Sequence, residues 1–301
     1  MPDYLAPTRD MEFVLFDLLD AESTWRRIPA LAEVTRDLVA AVLEEGGKIA
    51  SERLAPLNQI GDRAGSTWSA EGVKTPPGFK EGFRALAEGG WLGVAGDPTY
   101  GGQGLPKMLT VALEEMFYGA NTGLYLCGTL TVGAATCIAN HGSEAQKALY
   151  LPKLYSGEWA GAMALTEAHA GTDLGIMRSR AEPAADGSYR ITGTKIFITY
   201  GDHDLTSNSV HLVLAKLPDA PEGTRGISLF IVPKFLINTD GSLGPRNTFA
   251  SGSIEHKMGV KGSPTCVMNY DRATGYLIGE PNQGLAAMFT MMNYERLSVG
   301  I

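Results

Sequence analysis

The hydrophobic period of this chain changes once, near Gly157, and that change dictates the class of fold open to it. From Glu12 to about Tyr155 apolar residues recur at helical spacing, as in Leu31, Val34, Leu38 and Val42, while Glu44, Glu45 and Lys48 face elsewhere. Gly- and Pro-containing breaks at 61–77 and 96–106 separate each helical stretch from the next. Beyond Gly157, short alternating or β-branched runs take over at 189–192, 195–199, 210–217 and 226–232, separated by turn chemistry at 183–187, 218–223 and 238–244. The expected class is α+β: helices packed on helices, then a mostly antiparallel sheet curled into a barrel or a sandwich. Residues 282–301 return to helical spacing with Leu285, Met288, Phe289, Met292 and Leu297 as the stripe, which is still running at Ile301. The expectation is a helix that belongs to a longer protein.

Charge and cysteine content narrow the functional classes. Lys and Arg number 25 against 33 Asp and Glu, a net charge of -8, so the molecule repels a phosphate polymer and nucleic acid is not an expected partner. Cys127, Cys137 and Cys266 show no C-x-x-C spacing, which signals neither a disulfide framework nor a metal site and suggests a reducing, cytoplasmic compartment. The longest apolar run, 124–139, contains Gly128 and Gly133 and falls short of the ~20 residues of a bilayer span, so a buried helix is expected and no membrane span. The first 30 residues, with Phe13, Phe16, Leu18, Leu19 and Trp25, read as a helical arm laid over a neighbouring surface.

The most informative stretch is 161–175, GAMALTEAHAGTDLG, an apolar strand turning through Ala170, Gly171 and Thr172. Small residues let a ligand approach the main chain, and successive free N–H groups cradle phosphate. A second run, Gly193-Thr-Lys-Ile-Phe-Ile-Thr199, is an apolar strand ending in a hydroxyl. A third, 255–266, EHKMGVKGSPTC, ends in turn residues, and Asn293-Tyr-Glu-Arg-Leu297 lies on the closing helix.

Together these runs resemble the acyl-CoA dehydrogenase family, above all in Leu165-Thr-Glu-x-x-Ala-Gly-Thr-Asp173, and the resemblance extends from about Tyr4 to Ile301. The leading arm is similar to the extension of the larger bacterial subgroup, which includes enzymes of 3-methylthiopropionyl-CoA. The resemblance implies an N-terminal all-helical domain (36–157) after a helical extension (1–35), an antiparallel β-barrel middle domain (158–280) and the first helix of a C-terminal helical domain (281–301). It implies FAD as cofactor, with Met163, Leu165 and Thr166 at the ring, Gly171 and Thr172 at the pyrophosphate, and Phe197 and Thr199 beside the reactive nitrogen. Many members have tryptophan where Phe197 stands, so the packing surface is kept while an indole N–H is lost. Thr172, Asn293 and Arg296 are the implied substrate contacts. Glu295 stands where a minority of members keep their catalytic base, although Glu-Arg on a helix is equally a solvated ion pair, and in most members the base lies in the C-terminal domain. His169 and His203 read as loop residues, His256 and Lys257 as structural ones, and no metal ligand set is expected.

The implied activity is desaturation of an acyl-CoA thioester to the trans-2-enoyl form, with an electron-transferring flavoprotein as oxidant and a homodimeric or homotetrameric assembly. An oxygen-using acyl-CoA oxidase is the nearest alternative, and a folded module without turnover is the alternative from another class.

Overall fold

A computed structural model describes residues 4–301; the first three residues of the expected arm lie outside the described residues. The arm begins with α1 (Thr8–Glu12), which continues as a wider helical turn over Phe13–Leu18, and α2 (Ala21–Trp25). Met11, Leu15, Ala21 and Trp25 face inward, with Trp25 edge-on to Phe16, whereas Phe13, Leu18 and Leu19 stay exposed. Only some of the predicted apolar set is therefore spent on the arm's own packing.

The helical region follows with α3 (Arg36–Lys48), α4 (Ala55–Ala64), a small hairpin of β1 (Thr67–Ser69) and β2 (Gly72–Lys74), α5 (Phe79–Glu88), α6 (Lys107–His141) and α7 (Glu144–Tyr155). In α3 the buried face is Val39, Leu43, Gly46 and Gly47, one residue round from the expected stripe, and Leu38 is exposed. Ser143 and Gln146 form a reciprocal capping box at the start of α7, satisfying donors that would otherwise be orphaned. The 35-residue α6 is long and apolar enough to cross a membrane, yet 72% of its most apolar window is buried against protein, as expected of a core helix. It breaks at Asn121 (φ -159°, ψ 83°), whose carbonyl oxygen accepts from Leu124 N at 3.1 Å while its amide donates to the Leu54 carbonyl. Asn121 thus caps the second half of α6 and ties it to the chain before α4.

The sheet region comprises β3 (Trp159–Ala164), β4 (Arg180–Pro183), β5 (Tyr189–Thr199), β6 (Asn208–Lys216), β7 (Ile227–Pro233), the short pair β8 (Phe235–Ile237) and β9 (Leu243–Arg246), β10 (Phe249–Ile254) and β11 (Thr265–Ile278). Seven of these form one sheet, in the order β10-β11-β5-β4-β6-β3, with β7 paired to both β11 and β6. The expected all-antiparallel barrel requires correction: β3–β6 and β4–β6 are parallel, so the sheet is mixed. A parallel neighbour needs a long crossover, and the 165–207 stretch, which holds the signature turn and β4 and β5, supplies it between β3 and β6. The sheet's own core is Ala162, Ala164, Ile191, Val213, Phe230, Val232 and Met268 with their neighbours.

The closing helix α8 (Gly284–Val299) packs on α6 and β7. Its buried face is Gly284, Ala287, Met288, Met291, Tyr294, Glu295 and Ser298. Phe289 and Leu297, placed by apolarity in the stripe, are exposed, because small and polar residues occupy the core face of this helix.

Candidate active site

β3 and β5 bring the two signature segments together. The turn after β3 folds back on itself through reciprocal bonds between Glu167 and Ala170, and the Thr166 carbonyl accepts from Ile196 N at 2.8 Å. Beneath it lies an ion pair that sequence reading missed. Fully buried Lys195 donates to Glu167 Oε1 and to the Leu165 carbonyl, each at 2.9 Å. Glu167 also accepts from Arg178 N at 2.7 Å, Ser179 N at 3.0 Å and Ser179 Oγ at 2.6 Å. Burial opposes the charge on Glu167, but Lys195 and these donors outweigh it and hold the carboxyl down at about 2. His169 sits at the rim, its Nε2 3.4 Å from Glu167 Oε2.

Strict alternation along β5 would put Lys195, Phe197 and Thr199 on one face. The register shows otherwise: Lys195 faces Met268 and Ile198 faces Cys266, so Ile196 and Phe197 stand opposite Val267 alone. This bulge turns Phe197 outward, 58% exposed, at φ +60°. A left-handed conformation on a bulky aromatic costs about 1–2 kcal/mol, and more than half of the surface it presents is left uncovered.

Phe197 and Thr199 line a cleft of about 160 Å³ with Met163 from β3, Leu126, Thr129 and Leu130 from α6, and Glu295 and Val299 from α8. Glu295 is nearly buried, its Oε1 has no hydrogen-bond partner, and burial pushes its carboxyl up to about 8. Gly133 leaves the space for it, since a Cβ there would lie 2.9 Å from Glu295 Oε1. Leu165 is buried behind the cleft and Thr166 is half-buried at the turn. Gly171 and Thr172 are exposed; a Cβ on Gly171 would meet only Thr166 Cγ2, at 3.5 Å. Neither internal packing nor a left-handed φ requires glycine at 171, which leaves an open approach to the main chain beside the cleft.

Asn293 and Arg296 are not brought to this place. Both are exposed, and the Arg296 guanidinium lies 5.8 Å from the Phe289 ring centroid on the outer face of α8. Lys257 donates to the Ser263 carbonyl at 2.6 Å, a structural placement. His203 shares a bond with Ser209 and His211 with Tyr270, and burial lowers both imidazoles to about 4, so both are neutral at pH 7. Among the described residues no group of three or more His, Cys, Asp or Glu could hold a metal ion.

The strand-turn-strand unit and the cleft beside it combine an outward aromatic ring, a turn with open main chain and a buried carboxyl. Residues 40–158 match the acyl-CoA dehydrogenase N-terminal domain and residues 162–273 the acyl-CoA dehydrogenase middle domain. The chain belongs to the acyl-CoA dehydrogenase family, whose cofactor is FAD. It is 47% identical over 301 residues to the 3-methylmercaptopropionyl-CoA dehydrogenase of Ruegeria pomeroyi, covering 99% of this chain and 50% of that protein. It is 36% identical to the broad-specificity linear acyl-CoA dehydrogenase FadE5 of Mycobacterium tuberculosis, covering 100% of this chain and 50% of the relative. Among solved structures, butyryl-CoA dehydrogenase from Megasphaera elsdenii superposes with a TM-score of 0.71 at 26% identity, covering 87% of this chain and 64% of that one. An acyl-CoA dehydrogenase from Bacillus anthracis complexed with FAD gives a TM-score of 0.71 at 25% identity, over 89% of this chain and 42% of that one. The chain spans about half the length of the curated relatives it matches.

The residues present fit a flavin. The exposed Phe197 ring offers a stacking surface, Thr199 and Thr166 place hydroxyl-bearing residues at its border, and the unfilled space before Gly171 admits a diphosphate.

Proposed function

We propose that this chain contributes the flavin and acyl-thioester site of an enzyme that desaturates acyl-CoA to trans-2-enoyl-CoA and passes electrons to an electron-transferring flavoprotein. The observation that carries the reading is the convergence of Phe197, Thr199 and the unpartnered Glu295 on one cleft. Met163, Leu165, Thr166, Phe197 and Thr199 would hold the ring, and Gly171 with Thr172 the diphosphate. FAD, when bound, supplies the acceptor for the substrate's β-hydride.

The chain's own role is proton removal and water exclusion. A carboxyl with an ordinary acidity is too weak a base for a thioester α-proton, whereas one raised to about 8 by burial is a far better acceptor near neutral pH. We assign that role to Glu295. Leu126, Leu130 and Val299 line the cleft beside it with apolar surface. Thr172 is proposed to meet the thioester's CoA portion; Asn293 and Arg296 would reach it only from the outer face of α8.

The 47% relative makes a short, sulfur-containing acyl-CoA the first substrate to try, and linear fatty acyl-CoAs the second. The proposed organisation is a helical extension (1–35), helical domain (36–157), sheet domain (158–280) and first helix of a further domain (281–301), assembled as a dimer or tetramer in the cytoplasm. Purified protein should be yellow, or become so with FAD, and 3-methylthiopropionyl-CoA should bleach the flavin band. A protein that stays colourless with excess FAD would overturn the flavin reading. Peroxide release with oxygen consumption would reassign the oxidant, making the enzyme an acyl-CoA oxidase.

A further inference from the structure

Sequence reading passed over Glu114, which lies mid-way along the first half of α6 and is fully buried. Its two oxygens reach across to α8: Oε1 accepts from the Tyr294 hydroxyl and Oε2 from Ser298 Oγ at 2.8 Å. Tyr294 and Ser298 are four residues apart and share a face of α8, and they bracket Glu295 in sequence. Lys107, two turns before Glu114 at the start of α6, places its ammonium 3.6 Å from the Tyr294 ring centroid, adding a third tie to the same point.

We propose that Glu114 is a positioning residue: it clamps α8 through Tyr294 and Ser298 at the rotation that aims Glu295 past Gly133 into the cleft. The importance assigned to Glu295 rests on the proposed base role, but the clamp itself does not.

The geometry requires such a device. Successive helix residues are about 100° apart, so Glu295 stands well round the helix from the clamp and is not held by a bond of its own. Helix rotation of about 20° would carry a side-chain tip at roughly 5 Å radius through about 2 Å, enough to lose the notch at Gly133. The other directional ties of α8, His141 Nε2 to Thr290 Oγ1 at 2.7 Å and Cys137 Sγ to the Ala287 carbonyl at 3.3 Å, lie one to two turns nearer its start, and Met288 and Met291 are flexible side chains that fix rotation weakly. A carboxylate accepting two hydroxyl donors is directional, and leaving it unsatisfied in the interior is costly, so the clamp has one favoured setting.

The test reads the titration of Glu295, a quantity that mere loosening elsewhere in the fold would not move. In the purified chain labelled with ¹³C-carboxyl glutamate, the Glu295 resonance is assigned by its absence in Glu295→Gln and followed against pH. The expected result is that Glu114→Ala lowers the Glu295 midpoint by about one unit or more as water reaches it, with Glu114→Gln in between because its amide oxygen still accepts from Tyr294. Ser298→Ala, which removes one donor and a single atom, shifts the midpoint the same way by less, and carries the test if Glu114→Ala does not fold. An unchanged midpoint in a folded Ser298→Ala or Glu114→Ala protein would overturn the clamp. The base reading is tested separately: turnover that survives Glu295→Gln would remove the base role while leaving a shifted midpoint, and so the clamp, intact.

Discussion

Two buried glutamates, one under the signature turn and one in the cleft, could hardly be treated more differently. Glu167 is surrounded by donors from Lys195, Arg178 and Ser179, and its carboxyl is held at about 2. Glu295, on α8, has an oxygen with no partner and is pushed up to about 8. Burial alone does not mark a reactive carboxyl; burial without partners does. Glu167 spends its charge on holding the signature turn to β5, and Glu295 keeps its lone pairs free for something that enters the cleft.

The largest expected effect comes from breaking the satisfied one. Glu167→Leu strands the Lys195 ammonium in the interior, for which about 3–5 kcal/mol of stability is lost, and it also releases the turn that carries Thr166 and Gly171. Urea unfolding should show that loss, and Lys195→Met on the same background should restore much of it. A loss below about 1 kcal/mol would mean that water reaches the pair.

Next in size is the opposite pH dependence of the two carboxyls. For Glu167 the folded acidity is stronger than that of a free glutamate, so its stabilisation is present above about pH 4.5 and fades as pH falls toward 2. For Glu295 the folded proton is held more tightly, so stability is full below about pH 4.5 and is lost as pH rises through 8, by a few kcal/mol. His203 and His211, held neutral down to about pH 4, raise stability over the lower part of the range in both proteins alike, so from pH 4.5 to 9 the melting temperature of the native chain should fall relative to that of Glu295→Gln. Equal slopes would remove the distinction between the two sites.

A smaller effect separates stability from binding. Phe197 is mostly exposed and sits in a strained conformation, so Phe197→Ala should change unfolding free energy by no more than about 0.5 kcal/mol. Flavin affinity should nevertheless fall by tenfold or more. Unchanged affinity would mean that the exposed ring is not the shelf on which the flavin lies.

Much of this was legible in the residues. The period change at Gly157 marks where α7 gives way to β3, and the turn at 165–173 lies beside the strand ending at Thr199, as the family resemblance implies. What escaped reading did so for physical reasons. The bulge in β5 puts Lys195 and Phe197 on opposite faces, and period-two reasoning has no way to register an extra residue. The parallel β3–β6 pairing depends on a crossover that local pattern does not encode. The core face of α8 includes glycine, serine and glutamate beside Met288, Met291 and Tyr294, and an apolarity stripe passes over the polar and small members. Glu114 left a trace: it falls one turn before Phe117 and one after Thr110, on the buried side of α6, while its neighbour Glu115 lines the groove under the arm.

The most direct measurement is a flavin titration of the purified chain, followed by protein-induced change in FAD absorbance and fluorescence, in the native protein and in Gly171→Val. A Cβ at 171 would meet only Thr166 Cγ2, at 3.5 Å, so Gly171→Val should leave the melting temperature unchanged while blocking the diphosphate's approach. Saturable FAD binding by the native chain, weakened at least tenfold in Gly171→Val at equal stability, is the expected result. Equal binding by both, or none by either in protein shown to be folded, would contradict the claim that the turn and the Phe197–Thr199 cleft embrace a flavin.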